Sequence, residues 1–272
     1  KNIVLNVDAK TYCSMPESLQ NYKRNKNYLF KKLNISNSKN VSKTIKEFQP
    51  NLIFHLAAES HVDNSIVNPN SFINTNIIGT YNLLNSSLKY LKQINKFKFI
   101  HISTDEVYGS LKNKTQKSFT ENSKFNPNSP YSASKASSDL LVRAWNKTYN
   151  LPVITTNCVN NFGPWQFPEK LIPVVIYSCL KQIEIPVYGN GINIREWIHV
   201  NDHVDCLINL SKNGKIGEVY NIGSGFEISN INLVKIICDY FDNKFPKKKS
   251  YKKLIKFVND RPGHDFRYSL NS

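Results

Sequence analysis

Two short apolar runs, LIFHLAA at residues 52–58 and KFIHIS at residues 98–103, flank a longer stretch at residues 70–91. Apolar side chains recur at helical spacing in the longer stretch, whereas each short run has the length and composition of a buried strand. Two strands joined by a long helix form a βαβ unit, whose strands lie parallel in one sheet. The same alternation runs through the first 150 residues. We therefore predict an α/β protein with a doubly wound parallel sheet.

The pattern changes beyond Pro152, where shorter elements are separated by Gly and Pro in NNFGPWQFPEK and IPVYGNG. Helical stretches return at residues 171–181 and 233–241, which indicates a second, smaller domain. The expected division is a Rossmann-type domain over residues 1–155 and a mixed α/β domain over residues 156–272. Residues 197–225 are expected to return to the first domain.

Composition excludes several classes of protein. The 272 residues are 40% hydrophobic, which is enough for a sizeable core, and no apolar run approaches the roughly 20 residues that span a bilayer. The first residues lack the apolar segment of a secretory signal, so we expect a cytoplasmic protein without a membrane partner. The five cysteines are scattered and form no CxxC pair, which predicts reduced thiols and no metal site.

The formal net charge of +16 raises the question of nucleic-acid binding. The lysines are spread over surface-like positions, and their densest cluster lies beside a strand-like segment without an aromatic stacking platform. We therefore expect no nucleic-acid partner, and a positive field that favours an anionic small ligand. The cluster consists of Lys247, Lys248, Lys249, Lys252, Lys253 and Lys256.

Tyr131 and Lys135 stand four residues apart at the start of a predicted helix, in YSASK. This spacing places both side chains on one helical face. An ammonium group there would favour the phenolate, lower the pKa of Tyr131 and make it a usable base. YxxxK is a common pattern, so the alternative is a chance Tyr and Lys on an amphipathic helix.

Candidate ligand-binding residues follow directly on each of the two buried strands. Thr104, Asp105 and Glu106 come after KFIHIS, at the strand end where open α/β sheets bind ligands. Unequal burial of two adjacent carboxyls would push their pKa values apart and leave one acid and one base. The alternative is a helix N-terminus that favours acidic residues. After LIFH, Ala57 and Ala58 would let a ligand approach the backbone, or else serve close packing.

Nine segments in this order resemble the dTDP-glucose 4,6-dehydratases, a family of extended short-chain dehydrogenases. The resemblance runs from Asp8 to about Tyr268, and TDE before YxxxK separates these dehydratases from related epimerases. The segments are LAAESHVDNSI, TNIIGTYNLL, STDEVYG, YSASKASSDLLVRAW, NNFGPWQFPEKLIP, IPVYGNG, REWIHVNDH, YNIGSG and NDRPGHD.

The resemblance implies an NAD-dependent enzyme that converts dTDP-glucose to dTDP-4-dehydro-6-deoxy-glucose and water without net redox change. Tyr131 would take the proton of the C4 hydroxyl, which Thr104 shares, while hydride passes from C4 to NAD. Glu106 would then remove the C5 proton, Asp105 would protonate the departing C6 oxygen, and hydride would return to C6. Lys135 would bind the nicotinamide ribose.

The resemblance also implies the binding residues, with residues 1–155 as the NAD-binding domain. Asp8 would hold the adenosine ribose and favour NAD over NADP, and the alternative for Arg195 is a structural ion pair. The cofactor set is Asp8, Thr11, Asn34, Ile35, Leu56, Ala57, Ala58, Ser60, Thr75, Tyr131, Lys135 and Asn161. The substrate set is Ser60, Thr104, Asn160, Lys170, Leu171, Pro186, Val187, Tyr188, Arg195, Asn230, Arg261 and His264.

The family pattern is broken in places. Its glycine-rich loop between the first strand and helix does not occur here, so we expect roughly two dozen residues to precede Lys1, from the usual length of a βαβ unit. Closing helices are expected beyond Ser272. Asn34 stands where the family usually has Asp, and its amide would still hydrogen-bond adenine.

Two other functions remain open at this point. One is a related UDP- or GDP-sugar 4,6-dehydratase or a sugar-nucleotide 4-epimerase on the same fold. The other is a catalytically inactive binding protein that uses the basic surface. By analogy of fold we also expect a homodimer, with the helices at residues 70–91 and after Tyr131 forming a four-helix interface.

Overall fold

The computed structural model describes residues 2–91 and 96–272 of the chain. The strands are β1 (Val4–Asp8), β2 (Tyr28–Lys32), β3 (Leu52–His55), β4 (Lys98–Thr104), β5 (Val153–Cys158), β6 (Asn160–Phe162), β7 (Ile185–Tyr188), β8 (Ile194–His199), β9 (Val219–Ile222), β10 (Glu227–Ser229) and β11 (Ile255–Val258). The α-helices are α1 (Ser38–Phe48), α2 (Val62–Val67), α3 (Pro69–Phe72), α4 (Thr80–Leu91), α5 (Pro130–Tyr149), α6 (Leu171–Lys181), α7 (Val200–Asn213) and α8 (Asn230–Lys244). A π-helical turn covers Ile73–Gly79, and 3₁₀ turns cover Pro16–Tyr22, Asp105–Tyr108 and Tyr251–Leu254.

A four-stranded parallel sheet carries the fold, with strand order β3-β4-β5-β9. Every residue of β5 is buried and β4 is buried along most of its length, because helices cover a sheet made of parallel crossovers. This arrangement confirms the predicted α/β class with a parallel sheet. The strands β1 and β2 pair parallel to each other in a separate sheet.

The stretch at residues 70–91 is not the single α-helix that its periodicity predicts. It consists of α3, the π-helical turn Ile73–Gly79 and α4. The carbonyl of Asn76, inside the π turn, accepts hydrogen bonds from the hydroxyls of Thr80 and Ser138. Such side-chain insertions disturb the regular helical ladder. Gly79 lies so close to Ile35 that an added Cβ would stand 2.5 Å from the Ile35 side chain, so the turn packs tightly against the loop after β2.

The second half of the chain forms two small sheets, with strand orders β10-β8-β6 and β11-β7, and a core of its own. The helix predicted at residues 171–181 is α6, and the one predicted at residues 233–241 lies within α8. Val175 and Cys179 of α6 pack against Val234 and Cys238 of α8 and against β7. The strand β9 leaves this half and pairs with β5 in the main sheet.

The described ranges contain no helix long and apolar enough to cross a membrane. Within the same ranges, no three His, Cys, Asp or Glu side chains come together in an arrangement that could hold a metal ion. All five cysteines are free thiols, and three of them are buried.

Candidate active site

The segment Thr104–Asp105–Glu106 forms a tight turn at the carboxyl end of β4. Thr104 caps the 3₁₀ turn that follows, since its hydroxyl oxygen accepts from the Glu106 amide at 3.3 Å. The same hydroxyl donates to Asp105 Oδ1 at 3.0 Å. Both carboxyls therefore lie at the strand end where ligands bind in open α/β sheets.

The two carboxyls have different surroundings. Asp105 is 2% exposed, and its Oδ2 is buried without a partner among the described residues. Burial and the neighbouring Glu106 raise the pKa of Asp105 to about 8, so this group carries a proton at neutral pH. Burial also raises the pKa of Glu106, but the positive charges of Arg195, Arg261 and Lys170 oppose that rise. The site therefore contains one neutral acid beside a carboxyl surrounded by cations.

Helix α5 brings Tyr131 and Lys135 to the carboxyl end of β4. Ser129 caps the helix reciprocally with Ser132, and Pro130 occupies its first turn, where a missing N–H costs nothing. Tyr131 lies in that turn with its ring buried against Phe72, at 6.3 Å between centroids. Its phenol lies close enough to Thr104, Glu106, Cys158 and Asp105 for each of them to change its pKa. The phenol and the two carboxyls therefore share one site.

The prediction that Lys135 lowers the pKa of Tyr131 is wrong for the protein in this structure. Burial, followed by the charge of Glu106, raises the pKa of Tyr131 well above its ordinary value, and only Thr104 acts in the other direction. Lys135 Nζ donates instead to the carbonyl of Ile102 at 2.7 Å. Burial lowers the pKa of Lys135 itself, while Asp139 and Cys158 raise it.

A cavity of about 420 Å³ opens at the carboxyl end of β1. Its lining includes Asp8, Lys10, Ser60 and Lys170. Asp8 is exposed, and one of its carboxyl oxygens accepts from the Lys10 amide at 2.5 Å. A carboxylate at a strand end beside a polar cavity is the hydrogen-bond acceptor that the ribose hydroxyls require, so these residues fit NAD.

The other residues of the predicted cofactor set divide into two groups. Most lie exposed or half-buried around the ends of β1 and β3 or on the π turn. Three are engaged elsewhere: Ile35 packs its side chain in the core, Asn34 accepts from Ser36, and Asn161 pairs with His203 at 2.8 Å. The first group is Thr11, Leu56, Ala57, Ala58, Ser60 and Thr75.

The residues of the predicted nucleotide set converge from three parts of the chain. Arg261 pairs with Asp63 at 3.3 Å, and its Nε is buried without a partner among the described residues. The Tyr188 hydroxyl donates to the other oxygen of Asp63 at 2.8 Å. Lys170 Nζ donates to the Ser60 carbonyl at 2.8 Å, and His264 bonds Asp260 at 2.6 Å.

Arg195 is held by main-chain carbonyls and an aromatic ring. Its guanidinium donates to the carbonyls of Ile194, Asp265 and Phe266 and lies 4.3 Å from the centroid of the Tyr268 ring. None of the salt bridges found in the described ranges involves Arg195, so the alternative of a structural ion pair is wrong. Its charge acts on Asp105 and Glu106, whose pKa values it lowers.

The remaining predicted substrate residues vary in accessibility. Val187 is 2% exposed and packs its side chain in the core of the second half. Asn160 has a buried Nδ2 without a partner among the described residues, which is available to a ligand. The others are half-buried or exposed: Leu171, Pro186 and Asn230.

Sequence reasoning missed two carboxylates that organise the site. Asp63 lies in α2 and joins Arg261 to Tyr188. Asp139 lies in α5 and accepts from His101 and Ser103 of β4. The spacing of Asp139, four residues after Lys135 on the same helical face, was the available signal. No sequence signal connects Asp63 with Arg261, which is almost two hundred residues away.

Comparison with known proteins gives one consistent family. The GDP-mannose 4,6 dehydratase family model matches residues 2–272. The dTDP-glucose 4,6-dehydratase 1 of Escherichia coli K12 is 48% identical over 99% of this chain and 78% of the relative. The crystal structure of DesIV, a dTDP-glucose 4,6-dehydratase from Streptomyces venezuelae with NAD bound, superposes with a TM-score of 0.91 at 38% identity, covering 99% of this chain and 79% of that one. A UDP-glucose 4-epimerase from Thermotoga maritima gives a TM-score of 0.84 at 26% identity, covering 98% of this chain and 81% of that one.

Proposed function

The chain belongs to the dTDP-glucose 4,6-dehydratases within the GDP-mannose 4,6 dehydratase family, and we propose that Thr104, Asp105, Glu106 and Tyr131 carry out the reaction. The substrate is dTDP-glucose and the products are dTDP-4-dehydro-6-deoxy-glucose and water. One observation supports the assignment above others: a neutral carboxyl, a second carboxyl and a phenol lie together at the end of β4.

The first step is oxidation at C4 of the hexose. Tyr131 takes the proton of the C4 hydroxyl, and Thr104, which lies beside Tyr131 and lowers its pKa, orients that hydroxyl. NAD, when bound, would supply the hydride acceptor for C4 and the hydride donor for C6. Asp8 and Lys135 are the residues that would hold its two riboses, and the buried charge of Lys135 lies next to the strand that carries the acids.

Elimination of water follows because the C4 ketone makes the C5 proton acidic. Glu106 removes that proton, and Asp105 gives its proton to the departing C6 oxygen. The reaction needs a base on one carbon and an acid on its neighbour, which a pair of unlike carboxyls provides. An epimerase has no use for such a pair, and this favours the dehydratase over the alternative enzymes. Glu106 returns its proton to C5 when C6 is reduced.

The proton balance assigns a further step to Thr104. One turnover leaves Tyr131 with the proton of the C4 hydroxyl and Asp105 without the proton that left in water. The Thr104 hydroxyl lies between the two groups, 3.0 Å from Asp105 Oδ1. Transfer from Tyr131 through Thr104 to Asp105 restores both without a proton from solvent.

The nucleotide is recognised by the residues at the far side of the site. Arg261, whose buried Nε has no partner among the described residues, would pair with a diphosphate oxygen, since a guanidinium pairs well with phosphate, and Lys170 would add a second cation. Tyr188 and Pro186 would contact the thymine and its sugar. His264, Asn160 and Asn230 complete the contacts.

We further propose a cytoplasmic homodimer that forms through α4 and α5. Tyr81 and Leu140 on these helices are 40% and 57% exposed, which is a large apolar area for a solvent face. Sedimentation velocity is expected to give twice the chain mass of 31.3 kDa, and a monomer at all concentrations would exclude this interface.

Substrate conversion tests the function directly. The full-length protein with NAD is incubated with dTDP-glucose, UDP-glucose or GDP-mannose, and the alkali-induced absorbance of a 4-keto sugar is recorded. We expect signal with dTDP-glucose. Signal with UDP-glucose or GDP-mannose alone would assign a different substrate to the enzyme. An unmodified sugar or a C4 epimer with all three substrates would exclude dehydratase activity.

The rate of the elimination step is expected to fall as the pH rises through about 8. Asp105 has to be protonated when it meets the C6 oxygen, and its raised pKa keeps it protonated below about pH 8 and ionised above. Tyr131 does not affect this step, because by then it already carries the proton of the C4 hydroxyl. The measurement is the rate at which the absorbance of reduced cofactor, once formed from dTDP-glucose in a single turnover, disappears at pH values from 6 to 10, roughly the range that brackets this pKa, with circular dichroism to show that the fold persists. A rate of disappearance that is flat or rises through pH 8 would contradict the role of Asp105.

A further inference from the structure

Asp139 is a buried carboxylate that the proposed mechanism does not use. It lies in α5 four residues after Lys135, which lies four residues after Tyr131, so the three side chains share one helical face. Asp139 is 5% exposed and Lys135 is 4% exposed. A carboxyl and an ammonium this deep in a protein each require a partner.

Two side chains of β4 donate hydrogen bonds to Asp139. His101 Nε2 lies 3.0 Å from one carboxyl oxygen, and Ser103 Oγ donates to the other at 2.8 Å. Burial holds the pKa of His101 well below its ordinary value, so the ring is neutral, and its Nδ1 has no partner among the described residues. The one ring proton therefore lies on Nε2. Burial raises the pKa of Asp139 to about 7, while the charge of Lys135 and the Ser103 hydrogen bond oppose that rise and favour the anion.

Lys135 is the buried cation on the same helical face, and in the described ranges it acts on Asp139 by its charge and not through a direct salt bridge. Its Nζ donates to the carbonyl of Ile102, the residue between His101 and Ser103. Asp139 raises the pKa of Lys135, and Lys135 lowers the pKa of Asp139, each against the effect of burial. The strand β4 is thus bonded to α5 at three consecutive residues, immediately before Thr104.

Other ionisable groups face this cluster from the neighbouring elements. The His55 ring of β3 lies 5.2 Å from the His101 ring and is also kept neutral by burial. Cys158 of β5 raises the pKa of Lys135, and Asp139 raises the pKa of Tyr108. None of these neighbours lies on the helical face that Lys135 shares with Asp139.

We propose that Asp139 is a positioning residue, which acts as the buried counter-ion of Lys135 and holds α5 in register with the end of β4. Through these bonds it sets where Tyr131 and Lys135 stand relative to Thr104, Asp105 and Glu106. The role in turnover rests on the proposed function, whereas the pairing with Lys135 does not.

The test follows the titration of Lys135 by NMR of ¹³C-labelled lysine, with the resonance assigned by Lys135→Met. In Asp139→Asn the amide still accepts from His101 and can bond Ser103, but the charge is gone. We expect Lys135 to titrate at lower pH in this variant, and kcat to fall about 10- to 100-fold, the cost of a small misplacement of reacting groups. Ser103→Ala, which removes a hydrogen bond but keeps the charge, is expected to leave the Lys135 titration in place.

An unchanged Lys135 titration in Asp139→Asn would overturn the proposal, even if the variant were less stable. Should Asp139→Asn not fold, Lys135→Met decides by the reciprocal signal, the titration of the Asp139 carboxyl in ¹³C-labelled aspartate. A titration that moves to higher pH than in the parent supports the pairing, because Lys135 lowers the pKa of Asp139, and one that stays in place contradicts it. The titration is measured without substrate, so a failed dehydratase assay would not affect this result.

Discussion

Replacing Asp105 with Asn is expected to lower kcat about 100- to 10,000-fold, the usual contribution of a positioned general acid. Asn has the same shape and can still accept from Thr104, whose hydroxyl lies 3.0 Å from Asp105 Oδ1, but it has no proton to give to the C6 oxygen. Oxidation at C4 precedes that step and does not use Asp105. In the variant, the absorbance of reduced cofactor should therefore persist after C4 has been oxidised, while the final product forms slowly.

The stability of the same variant gives a control with a definite sign. The folded-state pKa of Asp105 is raised from 3.8 to about 8, so the folded protein binds this proton more tightly than the unfolded chain. The parent protein therefore loses stability as the pH rises from 3.8 to 8, and the Asn variant escapes this loss. At pH 8 the variant should melt at or above the temperature of the parent. A lower melting temperature together with the slow rate would attribute the defect to folding.

Replacing Tyr131 with Phe is expected to lower kcat by a similar factor, about 100- to 10,000-fold, but to stop the reaction earlier. The phenol accepts the proton of the C4 hydroxyl, so without it no hydride leaves C4. The burial of the ring against Phe72 is unchanged in the variant. Rapid mixing with dTDP-glucose should then produce no reduced cofactor, in contrast to Asp105→Asn.

Tyr108→Phe is the matched control for this experiment. Tyr108 is also buried near the end of β4, but its hydroxyl donates to Asn221 at 3.1 Å and its ring stacks on Phe119. Loss of that hydroxyl leaves Asn221 without a donor and should cost about 1–3 kcal/mol of stability. The rate should change far less than in Tyr131→Phe. Equal losses of rate in both variants would mean that the effect is not specific to Tyr131, and this would contradict its role as the base.

The local elements were predictable because their patterns are local. The strand at β4 and the helix α6 follow from short apolar runs and helical spacing, and the motif order identified the family. The π-helical turn was not predictable, since it depends on Ser138, a residue of another helix, donating to the Asn76 carbonyl. Side-chain periodicity carries no information about such a contact.

The candidate site was predictable as a set of residues but not as an electrostatic environment. The sequence places Lys135 one turn from Tyr131, and this spacing alone favours a lowered pKa. The structure buries the phenol beside Glu106 and directs Lys135 to the Ile102 carbonyl, so the pKa of Tyr131 is raised. The burial of the phenol and the direction of the Lys135 side chain depend on tertiary structure. The two missed carboxylates, Asp63 and Asp139, likewise act through partners on other elements.

In the proposed reaction one hexose is oxidised at C4 and reduced at C6 in a single site. The path of the hydride is followed with dTDP-glucose that carries deuterium at C4, and the label is located in the product by mass and NMR. We expect the deuterium to be retained and found at C6, with water lost. Deuterium that appears in solvent, or that remains at C4 of a sugar still carrying its C6 hydroxyl, would contradict it.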